Sequence, residues 1–248
     1  MSKLKKNDIL GIKVCNMTMP QAVAKVSEFV ESMRPHLVVT PNPEIIVSSA
    51  NDSEIKDILN NAALALPDGV GVTLAGKVLE RPFCERVPGI ELMENAVRQA
   101  AEKNYGVYLL GASPAVVQVA AANLRKKHPA LRVLGTMHGY FKTEEEEQEV
   151  IDDILDAAPD ILFVGMGSPR QEKWAAKHLQ KLRVPVIICV GGSFDVISGY
   201  LKRAPLWMQR LCIEWLYRLF QEPKRWKRIL VLPWFLWKVF EKKRNSTE

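Results

Sequence analysis

The residue with the most chemical promise is Asp68, set between a short apolar run, residues 63–66, and a glycine-rich turn through Gly69 and Gly71. The run reads as a buried strand, Pro67 ends it, and a helical pattern of Val70, Thr73, Leu74 and Val78 resumes after the turn. A carboxylate then stands at the carboxyl end of a strand, where open α/β sheets bind their ligands and where it can take a proton from a bound hydroxyl. The competing reading is that Asp68 only caps the next helix, because Asp before Gly is ordinary turn chemistry. Asn42 stands between Pro41 and Pro43, which forbid helix through it and hold its side chain in a fixed loop. Arg86 lies in a proline-bounded loop, 81–89, that reads as a surface connection or as a reach toward a phosphate.

Around these residues the chain alternates between strand and helix. Strands are expected at 9–14, 36–40, 63–66, 105–110, 132–134, 161–164 and 186–190. Helices are expected after Thr18, over 43–49, 53–62, 90–103 and 115–127, after Thr143 with its acidic run, and up to Leu182. The repeated order of strand, glycine turn and helix argues for an α/β fold with a parallel sheet and helices on both faces. The turns at Gly111, at Gly165 to Ser168 and at Gly191 to Ser193 emerge at one edge, with Gly139 and Tyr140 at the exit of the strand over 132–134. Free amides at helix starts there suit a nucleotide diphosphate, and Asp195 follows the last of these turns. No GxGxxG occurs, which weighs against a nicotinamide or flavin cofactor, and no P-loop is present. No Asp-x-Asp pair occurs either, so no metal and no cofactor is expected and a leaving diphosphate needs arginines or amides.

The 248 residues suffice for one large domain or a domain with an appendage, and 48% hydrophobic with 25% charged residues is ordinary for a soluble protein. Cys15, Cys84, Cys189 and Cys212 form no CxxC pair and read as buried thiols of a reducing compartment; the four histidines are scattered. No signal peptide and no apolar stretch of ~20 residues is visible, so a cytoplasmic location is expected. The net charge of +6 is uneven. From Lys202 to Glu248 twelve Lys/Arg face four Glu, a net +8 that leaves −2 for the rest, and five of the six tryptophans lie there. This divides the chain into a catalytic body, 1–201, and a basic, Trp-rich helical appendage, 202–248. Pro223 and Pro233 are expected to break the appendage into short helices. Tryptophans beside Lys/Arg suit a bilayer surface with anionic headgroups. The aromatic pattern weighs against nucleic acid, while a core-packing helix pair, or a homo-oligomer contact off the membrane, stays open.

Several segments, taken together and in order, resemble the WecG/TagA/CpsF family of bacterial glycosyltransferases (glycosyltransferase family 26). They are 40–44 (TPNPE), 66–69 (LPDG), 86–89 (RVPG), 110–112 (LGA), 165–172 (GMGSPRQE), 191–195 (GGSFD) and 203–205 (RAP). The resemblance implies a Rossmann-like fold with an appendage that completes the site at the inner face of the cytoplasmic membrane. It implies inverting transfer of N-acetylmannosamine from UDP to N-acetylglucosamine on undecaprenyl diphosphate. Residue by residue, Asp68 matches the base, Thr40, Asn42 and Gln171 match polar groups of the pocket, and Arg86 with Arg218, Arg225 and Arg228 match phosphate ligands. Gly111, Gly139, Tyr140 and Gly165 are placed at the nucleotide and Asp195 at its ribose. Another UDP-sugar, a dinucleotide enzyme and a non-catalytic surface binder are the alternatives.

Overall fold

The computed structural model describes residues 4–205, 207–208, 213–221 and 231–245. A hairpin of β1 (Lys6–Ile9) and β2 (Ile12–Cys15) opens the chain. This corrects the single strand expected over 9–14. The chain reverses at Leu10 and Gly11, both at positive φ (51° and 88°), and the Gly11 N–H donates to the Asp8 carboxylate at 3.0 Å. Two positive φ values in a two-residue loop match strand twist. Leucine in the first of these positions hides the turn from a sequence reading.

In order there follow α1 (Met19–Ser32), β3 (His36–Val39), α2 (Pro43–Ser48), α3 (Ser53–Asn61), β4 (Leu64–Ala65), α4 (Val70–Val78) and α5 (Gly89–Lys103). Next come β5 (Gly106–Gly111), α6 (Pro114–Lys127), β6 (Arg132–Met137), α7 (Glu144–Ala157), β7 (Ile161–Gly165), α8 (Arg170–Leu182), β8 (Val186–Cys189) and α9 (Ser193–Ile197). The tail contributes α10 (Glu214–Gln221) and α11 (Val231–Asn245). Local chemistry sets the starts. Thr18 and Gln21 form a reciprocal capping box on α1, and Thr143 accepts from Glu146 N–H above the acidic first turn of α7.

The strands β3 to β8 form one parallel sheet in the order β4-β3-β8-β7-β5-β6. Every residue of β5, β7 and β8 is buried, as a sheet covered on both faces requires. Alternate side chains separate into two cores. Val38, Leu109 and Phe163 meet α1, α5, α6 and α9, while Leu37, Val39 and Leu110 meet α2, α3, α4, α7 and α8. At its carboxyl end β3 passes its chain to α2 on one face, and neighbouring β8 passes its chain to α9 on the other. A crevice opens where adjacent strands part in this way.

The end of the tail is packed on the body. Phe235 and Val239 of α11 are fully buried in the α2/α4 core, Lys242 pairs with Asp8, and Lys243 pairs with Glu80 at 2.9 Å. Pro233 lies within the first turn of α11, where helix tolerates proline, and does not break it; Pro223 lies outside the described residues. Cys15 and Cys189 are buried, but Cys84 is exposed in the loop before α5, and Cys212 is not among the described residues.

Candidate active site

A cavity of about 320 Å³ opens at the carboxyl ends of β4, β3, β8 and β7. Its walls carry Thr40, Asn42, Asp68, Arg86 and Gln171, which come from four separate segments of chain. Backbone hydrogen bonds explain the convergence. Beyond the paired part of β3 and β4, Leu66 N–H donates to Val39 C=O (2.9 Å) and Asp68 N–H to Pro41 C=O (3.1 Å), so the two exit loops continue the ladder. Val87 N–H donates to Pro67 C=O (2.9 Å) and ties the Arg86 loop to the same pair. Thr40 is pressed against the start of α5, where a Cβ on Gly89 would come within 3.0 Å of its hydroxyl.

The individual side chains divide between scaffold and site. Asn42 Oδ1 caps α2 by accepting from Ile45 N–H at 3.1 Å, and its NH₂ group is not used in that cap. Asp68 does not cap α4. The N-cap is Gly69, at φ 80°, and no side chain closes that end. Gln171 is 4% exposed; its Oε1 accepts from Gly191 N–H (3.0 Å) and its Nε2 donates to Glu172 Oε1 (2.8 Å). Arg86 Nη2 lies 3.4 Å from Glu214 Oε1, so the tail helix α10 reaches across to the loop before α5. Leu219, Val231 and Leu232 add an apolar tail-side wall. Gly71 permits that closure, since a Cβ there would stand 2.7 Å from Leu232 Cδ1 and 2.5 Å from Pro43 Cγ.

Three wall residues escaped the sequence reading. Glu44 and Glu172 end the segments 40–44 and 165–172, beside Asn42 and Gln171; Glu214 gives no sequence signal because only the tail's docking brings it in. Burial holds the Glu172 carboxyl above its ordinary 4.5, against the opposing pull of Gln171, its own backbone N–H and Ser168. Among the described wall residues Arg86 is the one Lys or Arg, facing Glu44, Asp68, Glu172 and Glu214. No group of three His, Cys, Asp or Glu is placed to hold a metal among the described residues.

The nucleotide positions expected from sequence line the same sheet edge but not this cavity. A Cβ on Gly111 would meet Gly165 C=O at 2.3 Å, and one on Gly139 would meet Gly111 Cα at 3.1 Å, so these three glycines form a junction of backbones. The amides of Ala112, Gly139 and Gly191 already donate to Gly165 C=O, Ala112 C=O and Gln171. These three amides are therefore already engaged within the turns. Tyr140, beside the junction, is 61% exposed. Asp195 lies nearer the cavity, with Oδ2 3.5 Å from where a Cβ on the wall residue Gly192 would sit. Arg218 is on α10, its side chain outside the described set; Arg225 and Arg228 lie outside the described residues.

Comparison with known proteins supplies the family of the chain. The profile of the "Glycosyl transferase WecG/TagA/CpsF family" matches residues 7–248. Proteins of Staphylococcus aureus strains MW2 and NCTC 8325, both named "N-acetylglucosaminyldiphosphoundecaprenol N-acetyl-beta-D-mannosaminyltransferase", are 37% identical over 246 residues. The protein of that name from strain MRSA252 is 36% identical; each alignment covers 98% of this chain and 96% of the relative. With the match running through every segment that builds the cavity, the chain belongs to the WecG/TagA/CpsF family of glycosyltransferases.

Proposed function

We propose that this chain is an inverting glycosyltransferase that moves N-acetylmannosamine from UDP-N-acetylmannosamine to N-acetylglucosamine on undecaprenyl diphosphate, forming a β-1,4 bond. The product would enter wall teichoic acid or a related surface polysaccharide. The reading is carried by the convergence of Asp68 with Thr40, Asn42, Arg86 and Gln171 on one cavity at the ligand-binding edge of the sheet. Asp68 takes the proton of the acceptor hydroxyl while that oxygen attacks the anomeric carbon from the face opposite UDP. The bond to the β-phosphate oxygen breaks, and UDP leaves with the electron pair. Arg86 meets the charge that develops on the diphosphate. One arginine against four described carboxylates is too little for that charge, which is the reason to assign Arg218, Arg225 and Arg228 to the same task. Thr40, Asn42 and Gln171 orient the sugars. The nucleotide runs along the edge past Gly165, Gly111, Gly139 and Tyr140, with its ribose at Asp195.

The lipid acceptor sets the location: a peripheral enzyme on the inner face of the cell membrane, bound through the segment 202–248. Trp234, Trp237 and Phe240 are exposed on α11, and Lys238 Nζ stands 4.6 Å from the Trp237 ring. No helix among the described residues is long and apolar enough to cross a membrane. Off the membrane the same aromatic surface would pair two copies.

The test is UDP release from UDP-N-acetylmannosamine with a lipid-diphosphate-linked N-acetylglucosamine acceptor, EDTA present, for wild type beside Asp68→Asn. Turnover that collapses in the variant supports the reading. UDP binding without turnover would move the search to other UDP-sugars.

A further inference from the structure

Glu172 is the wall residue that the proposed reaction leaves without a task. It is 4% exposed, its Oε1 takes the Gln171 amide, and its Oε2 is buried with no hydrogen-bond partner. Ser168 Oγ, on the same wall, is likewise buried and makes no full hydrogen bond, though it stands close enough to Glu172 to pull on its carboxyl. Buried polar atoms left this way are rare and call for a reason.

Among the described residues the surroundings bring no free cation to Glu172. Of the elements packed on α8, β7 has no ionisable side chain, β3 has only His36 at its amino end, and β8 has Cys189, a thiol pushed up by its burial. Asp52, which caps α3, and Glu54 of α3 pair with Lys173, and Glu147 of α7 pairs with His178 and Lys177. Across the cavity stand Glu44, Asp68 and Glu214, with Arg86 engaged by Glu214. An ionised carboxylate so enclosed would keep an unpaired charge in an apolar wall, at a cost that proteins avoid by keeping the proton.

We infer that Glu172 is a positioning residue that works as an uncharged carboxylic acid, fixing Gln171, through it the Gly191 amide, and so the inner wall of the cavity. The geometry is a relay in which Gly191 N–H donates to Gln171 and Gln171 donates to Glu172. Retained on Oε2, the proton makes that atom a donor facing the corner shared with Ser168. The inference rests on the reading of the cavity as the transferase site.

Burial holds this carboxyl above 4.5, so the folded chain keeps a proton that the unfolded chain releases near that pH. Stability then falls as pH rises from about 4.5 until the native group ionises, because the folded state binds more protons. Glutamine imitates the neutral acid, with an acceptor for Gln171 and a donor in place of the O–H, and removes that slope. Leucine removes both groups.

The experiment compares full-length wild type, Glu172→Gln and Glu172→Leu, reading Tm from roughly pH 4.5 to pH 8 together with kcat and KM for UDP release. Expected are kcat/KM for the Gln variant within about threefold of wild type and a loss of roughly tenfold or more for Leu, as Gln171 loses its anchor. The Tm gain of the Gln variant over wild type should grow with pH. A Gln variant that fails to fold, or that is as impaired as Leu, overturns the inference by showing that the charge is needed; so does a Leu variant with full activity. Should wild type itself not turn over, the proposed reaction fails, while the Tm slopes still decide whether Glu172 is neutral.

Discussion

The cavity has two walls of unlike construction. On the sheet side, Thr40, Asn42 and Asp68 are held by main-chain bonds that prolong the β3–β4 ladder, and Arg86 is tied on by Val87 N–H. On the tail side, Glu214, Leu219, Val231 and Leu232 are brought in by side chains. The anchors of α11 are Phe235 and Val239 in the core, Lys242 on Asp8 and Lys243 on Glu80, while α10 is held by Gln221, whose side chain bonds the Lys202 N–H and C=O. Backbone bonds fix a position whatever side chains surround it, whereas packing holds only while each contact persists. A reaction that needs a base within hydrogen-bond reach of one hydroxyl belongs on the first wall, and a surface that must meet a lipid acceptor belongs on the second.

The largest effect should come from the sheet wall. Asp68→Asn should lower kcat by roughly 10²–10⁴-fold. Its Tm should stay near that of wild type, because α4 is not capped by Asp68. A large fall in stability with little loss of turnover would reverse the assignment and make Asp68 scaffold. On the tail wall the order inverts. Phe235→Ala empties a fully buried site and should cost about 3–5 kcal/mol of unfolding free energy, read from urea midpoints. Activity on the lipid-linked acceptor should fall with it as Leu232 loses its support. Unchanged activity in a folded Phe235→Ala chain would show that the tail wall is not needed for turnover.

What sequence made legible follows the same division. Asp68, Asn42 and Arg86 could be placed because prolines and glycines beside them dictate local backbone, and strand-end loops of a parallel sheet share an edge by topology. Glu214 could not, because its position depends on how α10 and α11 dock, and docking leaves no local signal. The glycine turns were half legible. Their place at the edge was readable, yet Gly111 and Gly139 also answer to close backbone contact, which spacing in the sequence does not separate from anion binding. Leu10 shows the same limit, since its positive φ runs against the residue's own preference and the hairpin was invisible.

Smaller perturbations test how the walls communicate. Glu214→Gln removes the carboxylate 3.4 Å from Arg86, a part-exposed pair worth under about 1 kcal/mol. Freed from it, Arg86 should bind the donor diphosphate more tightly, with KM for UDP-N-acetylmannosamine falling roughly two- to fivefold and kcat little changed. A rise in KM would mean that Glu214 orients Arg86 instead of competing for it.

The least effect is expected at the far end of α11, from Asp8→Asn. Burial alone would raise the Asp8 carboxyl, but the bond from Lys242, the Gly11 N–H and the charges of Lys242 and Arg81 outweigh it and hold the group below 3.8. A lowered folded pKa contributes stability that is present above the unfolded value and is lost as pH falls through the folded one. Because both partners are more than a third exposed, water screens the pair, and the loss at neutral pH should be only about 0.5 kcal/mol. The gap in Tm between wild type and Asp8→Asn should therefore be small near neutrality and close as pH drops below 3.8. A gap that persists in acid would show that the contribution of Asp8 is not its ion pair with Lys242, since a neutral carboxyl and the Asn amide both still accept the Gly11 N–H. The docking of α11 would then depend on its apolar packing and on Lys243 with Glu80.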